Sequence, residues 1–152
     1  MLAQAFHRRL RPTRMSARTF WRRFGRLEHE RLEFKRSAFR LHESVVAMAM
    51  SSGGTLILGV TDDRRLSGCA PAQGTLDRVA MVAHETQVDV SVRELIVGGT
   101  PLLLLTVPAI RERIVTTPDG RILRRLGSSN QPVRGDAVAR FVQARLGGAE
   151  AS

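Results

Sequence analysis

One cysteine, one lysine and no long apolar run are the scarcities that first constrain this 152-residue chain. Cys69 has no second thiol with which to form an internal disulfide or a cysteine-based zinc site, which fits a reducing compartment and a cytoplasmic location. The apolar stretch 101–110 has the length of a core strand, well short of the roughly 18 residues that a membrane helix needs, so no membrane partner is expected. Lys35 is the only lysine among 24 basic residues, a bias that GC-rich codons explain without any selected chemistry. No phosphate-binding P-loop is found, no metal-binding spacing links His29, His42 and His84, and no internal repeat is visible. Hydrophobic residues make up 43% of the chain, enough at this length for one domain with a real core.

Acids are also missing from one region. Residues 1–27 hold eight arginines and no Asp or Glu, so they carry +8 of the formal net charge of +10. The remainder, with 16 basic and 14 acidic side chains, is nearly neutral. The expectation is therefore a flexible arginine-rich arm over 1–27 ahead of the folded body. Three readings of it stay open: an extension that grips nucleic-acid phosphate without reading sequence, an organelle transit peptide, or an effect of start-site choice with Met15 as the first residue. Within it Phe20, Trp21, Phe24 and Leu27 are spaced to pack one short helix onto the body.

Periodicity then lays out the body. Residues 31–35 alternate, with Leu32 and Phe34 on one side and Arg31, Glu33 and Lys35 on the other, as in a half-buried strand. Ser37 is placed to cap a helix with a stripe of Ala38, Leu41, Val45, Met48 and Ala49 and with His42 and Glu43 outward. Gly53 and Gly54 end it, and Thr55 to Val60 reads as a central strand. A loop leads to a helix opening at Thr75 or Asp77, with Val79, Val82 and Ala83 inward. Val88 to Val97, Gly98-Gly99 and Leu102 to Val107 form a β-hairpin. A short strand over 122–126, a tight turn over 127–130 and a last helix capped by Asp136 follow, that helix turning Val138, Phe141, Val142 and Leu146 to the core, with a frayed tail from 147. The order implies an α+β fold, a mixed sheet with helices packed on it in a single lobe. Phe34, Phe39 and Phe141 fall at core-like positions, which leaves no aromatic platform for stacking bases and favours backbone recognition.

Carboxylates supply the candidate chemistry. Glu28, Glu33 and Asp62 could together hold Mg²⁺ or Mn²⁺, which prefer hard oxygen ligands and can activate water against a phosphodiester. Glu28 and Glu33 are five apart, a spacing that neither a helix nor a strand brings to one face, so the chain must bend near His29-Glu30 if they share an ion. On spacing alone Glu33 instead pairs with Lys35 across one strand face and Glu28 is merely exposed. Asp62 and Asp63 close the central strand, where carboxylates serve either as functional groups or as turn-formers.

Four motifs in order add a resemblance. They are Glu28, Glu33, Phe34 and Lys35; Ala49-Met50-Ser51-Ser52-Gly53-Gly54; Gly59, Val60, Asp62, Leu66 and Gly68; and Arg125, Gly127, Ser128, Ser129 and Asn130. Together, over residues 28–146, the chain resembles the Schlafen AlbA-2 domain family. The resemblance implies an Alba-like fold and a module that binds the phosphate backbone of DNA or RNA. Its alternative is a metal-dependent endoribonuclease, with Glu28, Glu33 and Asp62 as catalytic and metal-ligating residues for Mg²⁺ or Mn²⁺. It also implies that Lys35, Arg125, Ser128, Ser129 and Asn130 contact nucleic acid. Two positions depart from the family pattern: Met50 stands where asparagine is usual, and Arg64 where glycine is common. The zinc ligands and second lobe of animal members are absent, so a homodimer is expected to build the groove.

Overall fold

The computed structural model describes residues 11–150, with side chains to 147. In order these form β1 (Thr13–Met15), α1 (Ala17–Phe24), β2 (Leu32–Lys35), α2 (Leu41–Ala49), β3 (Gly54–Leu58), α3 (Gln73–Thr86), β4 (Ser91–Val97), β5 (Thr100–Val107), β6 (Leu123–Leu126), β7 (Ser129–Pro132) and α4 (Asp136–Glu150). Five strands make one mixed sheet in the order β1-β4-β5-β3-β2, and β6 and β7 pair separately. The two outer pairs, β1 with β4 and β2 with β3, are parallel, whereas β5 runs antiparallel to both its neighbours. The architecture is the expected α+β one.

The period-2 alternation of strands divides the apolar side chains between two faces. Leu56, Leu58, Leu103, Leu105 and Val107 point to one face and pack with α2 and α3. Ile57, Leu95, Val97 and Leu102 point to the other, join Leu32 and Phe34, and are covered by Phe20, Trp21 and Phe24 of α1. The unbroken apolar run of β5 is thus what a strand buried on both sides requires. Gly53 links α2 to β3 at φ 73°, and a Cβ there would lie 2.7 Å from the Val107 carbonyl oxygen, so only glycine fits. Its N–H donates to Met48 O at 2.8 Å, which closes the helix as the Gly-Gly turn implied.

Several local expectations are corrected. The arginine-rich segment is part of the fold over its described portion: Thr13–Met15 forms the edge strand β1 and Ala17–Phe24 the docked helix α1, capped by Ser16, whose Oγ accepts from Thr19 N at 3.1 Å. Residues 1–10 lie outside the described residues, as do 151–152 of the expected frayed tail. Ser37 caps nothing; α2 begins at Leu41 after Arg40, which is left-handed at φ 55° and supplies no side-chain cap. Phe39 is 63% exposed, because the bends over 36–40 turn it outward under the Arg40 guanidinium. Residues 129–132 are a strand, β7, not the end of a turn; its Ser-Asn-Gln-Pro sequence has no apolar alternation to announce it. α4 runs to Glu150, and its apolar side is only half covered: Phe141 packs against the core while Leu146 stays 44% exposed.

Candidate functional site

The densest polar cluster lies where the β6–β7 hairpin meets β2 and α2. Strand alternation puts Glu33 on the same face as Leu56 and Leu58, beneath α2, where it is buried. Burying a carboxylate is costly unless it is fully paired. Here one oxygen, Oε1, accepts from Arg125 Nη1 at 2.5 Å. The other, Oε2, accepts from Ser44 Oγ at 2.5 Å and lies 3.0 Å from Lys35 Nζ. Burial alone would raise the Glu33 pKa; the Ser44 hydroxyl, Lys35 and Arg125 together outweigh it and hold the carboxyl below its ordinary range.

Arg125 is the other half of the cluster, and its side chain has no exposed surface. Besides Glu33 it donates from Nη1 to Asn130 Oδ1 at 2.8 Å, and from Nη2 to the His29 and Leu32 carbonyls at 3.1 and 3.2 Å. Its backbone N–H donates to Ser51 Oγ at 2.8 Å, and Asn130 Nδ2 donates to Ser44 Oγ at 3.2 Å. Only Arg125 Nε is buried without a partner among the described residues. The guanidinium fork therefore ties β2 to the hairpin, a role that suits its planar geometry, and Ser44 of α2 joins the cluster through Glu33 and Asn130.

Glu28 performs a related task at the outer edge of the same strand. The bend at 29–30 does occur, closed by reciprocal hydrogen bonds between His29 and Leu32. It swings Glu28 back so that Oε2 accepts from Phe34 N at 2.9 Å. With Arg125 on the Leu32 carbonyl and Glu28 on the Phe34 N–H, side chains satisfy backbone groups that an edge strand would leave open.

The three acids proposed to share an ion are accordingly given to different tasks. Glu33 is closed by two cations and a hydroxyl, Glu28 holds a strand N–H, and Asp62 is exposed in the loop after β3. Among the described residues no group of three His, Cys, Asp or Glu side chains is placed to hold a metal ion. The donor set does not fit Mg²⁺ or Mn²⁺, since both oxygens of its central carboxylate already face positive nitrogens. Of the residues expected to meet phosphate, Arg125 is inside the protein, Lys35 is 22% exposed beside Glu33, and Asn130 is bonded to Arg125 and Ser44. Ser128 and Ser129 are exposed on the hairpin, with Ser129 Oγ accepting from Gln131 Nε2 at 2.6 Å.

Both departures from the family pattern have local explanations. Met50 is buried, and its Sδ accepts from Val115 N at 3.4 Å. Arg64 sits at φ 63°, the left-handed conformation that makes glycine the usual choice there. Its side chain makes up for the strain through four contacts. Nε donates to Arg26 O at 2.7 Å, Nη1 to Asp62 O at 3.1 Å, Nη2 lies 3.7 Å from Glu28, and the guanidinium stacks 4.8 Å from the Phe34 ring centroid. Arg26 in turn lies over Trp21, whose ring meets Phe34 edge-on. Arg64 is thereby a fastening for the segment that carries α1.

Sequence reasoning missed Ser44, Ser51 and Arg26. Ser44 could have been found: it lies three residues after Leu41 and four before Met48, a small polar residue on an inward stripe. Cys69 is half-buried, and burial pushes its thiol pKa up.

A single-lobed α+β domain with a buried Glu–Arg clamp on an edge strand is the class that fold and cluster define. The family model described as "Schlafen, AlbA_2" matches residues 28–134, and the chain belongs to that family. Among solved structures, it is similar to the DIP2311 protein from Corynebacterium diphtheriae, with a TM-score of 0.61 and 23% identity over 76% of this chain, a likeness of fold. The match spans 27% of that protein's chain. No curated protein sequence matches. The described part of the basic segment, 11–27, lies ahead of the family-matched stretch. Among the described residues no helix is long and apolar enough to cross a membrane.

Proposed function

We propose that this domain binds nucleic acid through the phosphate backbone, with little sequence preference, and that α1 presents the cations. The observation that carries the reading is the arginine face of that helix. Phe20, Trp21 and Phe24 anchor one side, and helical geometry then leaves Arg18 and Arg22, four apart, on the exposed side. Arg11, Arg14, Arg23 and Arg26 are also exposed around it. Among the described residues none of these six has a carboxylate within ion-pair distance, in contrast to Lys35, Arg64, Arg65, Arg121 and Arg125. Unpaired guanidiniums in a fixed row gain most from a polyanion, whose bound counterions they release. Membership of the AlbA_2 family supports the same class of partner. Among the described residues Phe39 is the only aromatic one of the exposed large hydrophobics, so base stacking by them contributes little.

The apolar side of α1 is spent on the sheet, which removes what an amphipathic helix needs to enter a lipid interface. The test is a salt titration with labelled duplex DNA and labelled tRNA, with Mn²⁺ and with chelator. Arg18→Ala with Arg22→Ala should lower the slope of log affinity against log salt by about 2 on duplex DNA, at about 0.9 for each phosphate no longer neutralised. An unchanged slope would remove α1 from the interface. Cleavage of tRNA that requires Mn²⁺ would overturn the binding-only reading in favour of the endoribonuclease one. Pairing of two copies, which would double the row, predicts a concentration-dependent mass in sedimentation equilibrium.

A further inference from the structure

α1 is too short to cover its face of the sheet. Beyond Phe24 it leaves open a strip formed by β4 and β5, where cross-strand register sets Ser91 beside Thr106 and Arg93 beside Leu104. Between that strip and the end of the helix lies a cavity of about 310 Å³. Two cations line it, Arg23 from α1 and Arg93 from β4, both exposed. Three hydroxyl residues line it as well: Thr13 of β1, Ser91 of β4 and Thr106 of β5. Phe24 and Leu104 add apolar surface, and no carboxylate is among its lining residues. Glu94, next along β4, points to the opposite face by strand alternation.

We propose that this cavity binds a phosphate monoester. Two arginines lining one cavity from different elements, with three hydroxyl residues on the same lining, match the charge and the acceptor-rich shape of a phosphoryl dianion. The carboxyl end of α1 opposes an anion weakly through its dipole, and two full charges outweigh that partial one. The volume is at the low end for ligand sites, enough for a phosphate with an attached sugar and far too small for a duplex. The apolar patch then receives the sugar or base. The phosphoryl group could come from the terminus of a nucleic-acid strand or from a free mononucleotide. The site shares Arg23 with the cation face of α1, but neither Arg18 nor Arg22 lines it and Arg93 belongs to it alone.

The experiment uses the full chain at low salt with four probes: AMP, adenosine, and one single-stranded RNA sequence with either a 5′-phosphate or a 5′-hydroxyl. Calorimetry gives the affinities, and thermal melts confirm folding of each variant. Phosphorylated probes should bind at least tenfold tighter than their unphosphorylated counterparts. That difference should vanish in Arg93→Ala and in Arg23→Ala, yet persist in the variant lacking Arg18 and Arg22. A gain confined to the oligonucleotide pair identifies a strand terminus as the source; a gain for AMP over adenosine alone identifies the free nucleotide. Equal binding with and without phosphate overturns the proposal, as does a difference that survives both single variants. Loss of polyanion binding in the Arg18, Arg22 variant with an intact AMP response would separate this site from the backbone row.

Discussion

Arg125→Ala should cost about 3–5 kcal/mol of folding stability, because it leaves Oε1 of the buried Glu33 carboxylate without a partner, Lys35 and Ser44 both being on Oε2. A domain of ordinary stability has only about 5–15 kcal/mol, so the variant should melt many degrees lower. The guanidinium also holds the His29 and Leu32 carbonyls and Asn130; without it the two carbonyls keep only each other's N–H, and Asn130 Oδ1 loses its donor. Replacing both members with apolar residues of similar size, Glu33→Leu with Arg125→Met, should cost less than the single change. A double-mutant cycle by urea denaturation reads the coupling. If Arg125→Ala melts with the parent chain, the clamp is not structural and the residue is free for another task.

The same pair predicts an acid transition. Glu33 has a folded pKa below its ordinary value near 4.5. Between the two values the unfolded chain binds more protons, so stability rises with pH across that window. The contribution is fully present above about pH 4.5 and is lost as pH falls through the lowered folded value. In Arg125→Ala, burial acts on Glu33 with less opposition, so its folded pKa moves up toward the unfolded value and the acid-linked loss should shrink and end at higher pH. Melting temperature against pH, from about 3 to about 7, distinguishes the two chains.

Phe20→Ala is the second large effect. Its ring is fully buried between the sheet and the neighbouring rings of Trp21 and Phe24, at centroid distances of 4.9 and 5.1 Å. Truncating such a ring costs about 3–5 kcal/mol when the cavity cannot collapse. Here the helix can leave the sheet instead, at a cost limited to its own docking. The expected signature in hydrogen exchange is therefore selective: amides of α1 lose protection, while β3 and β5 keep theirs. Nucleic-acid affinity should fall less than in the Arg18, Arg22 variant, since every charge remains but the row is no longer held in place. Uniform loss of protection across the sheet would mean that α1 is integral to global folding.

How far these features could be read in advance depended on what each residue's neighbours are. The β4–β5 hairpin, the inward residues of α3 and the Gly53–Gly54 cap were legible because periodicity and backbone freedom are local properties. Glu33 and Lys35 were correctly placed on one strand face, and their pairing follows from that. The partner that dominates, Arg125, is 92 residues away from Glu33 in sequence, and no spacing rule reaches so far. The family resemblance implied a phosphate contact for it; only the tertiary arrangement shows the guanidinium turned inward. β1 escaped notice for a different reason. Three residues carry no periodicity, and they become a strand only because β4 offers them an open edge. The bend at 29–30 was foreseen as a requirement of metal binding, and it exists, yet it delivers Glu28 to a backbone N–H.

Arg64 couples the family-matched body to the segment ahead of it. Its left-handed backbone is tolerable because Arg26, upstream of that body, offers a carbonyl to grip. Shaving the protein back to residue 28 would withdraw that grip and uncover a slab of Leu32, Phe34, Ile57, Leu95, Val97 and Leu102. Such a trimmed molecule would be both sprung and sticky, prone to clump with its own kind. The leading helix thus acts as a built-in stopper, and whoever removes it must restore glycine at position 64 and repaint the bared wall with polar groups.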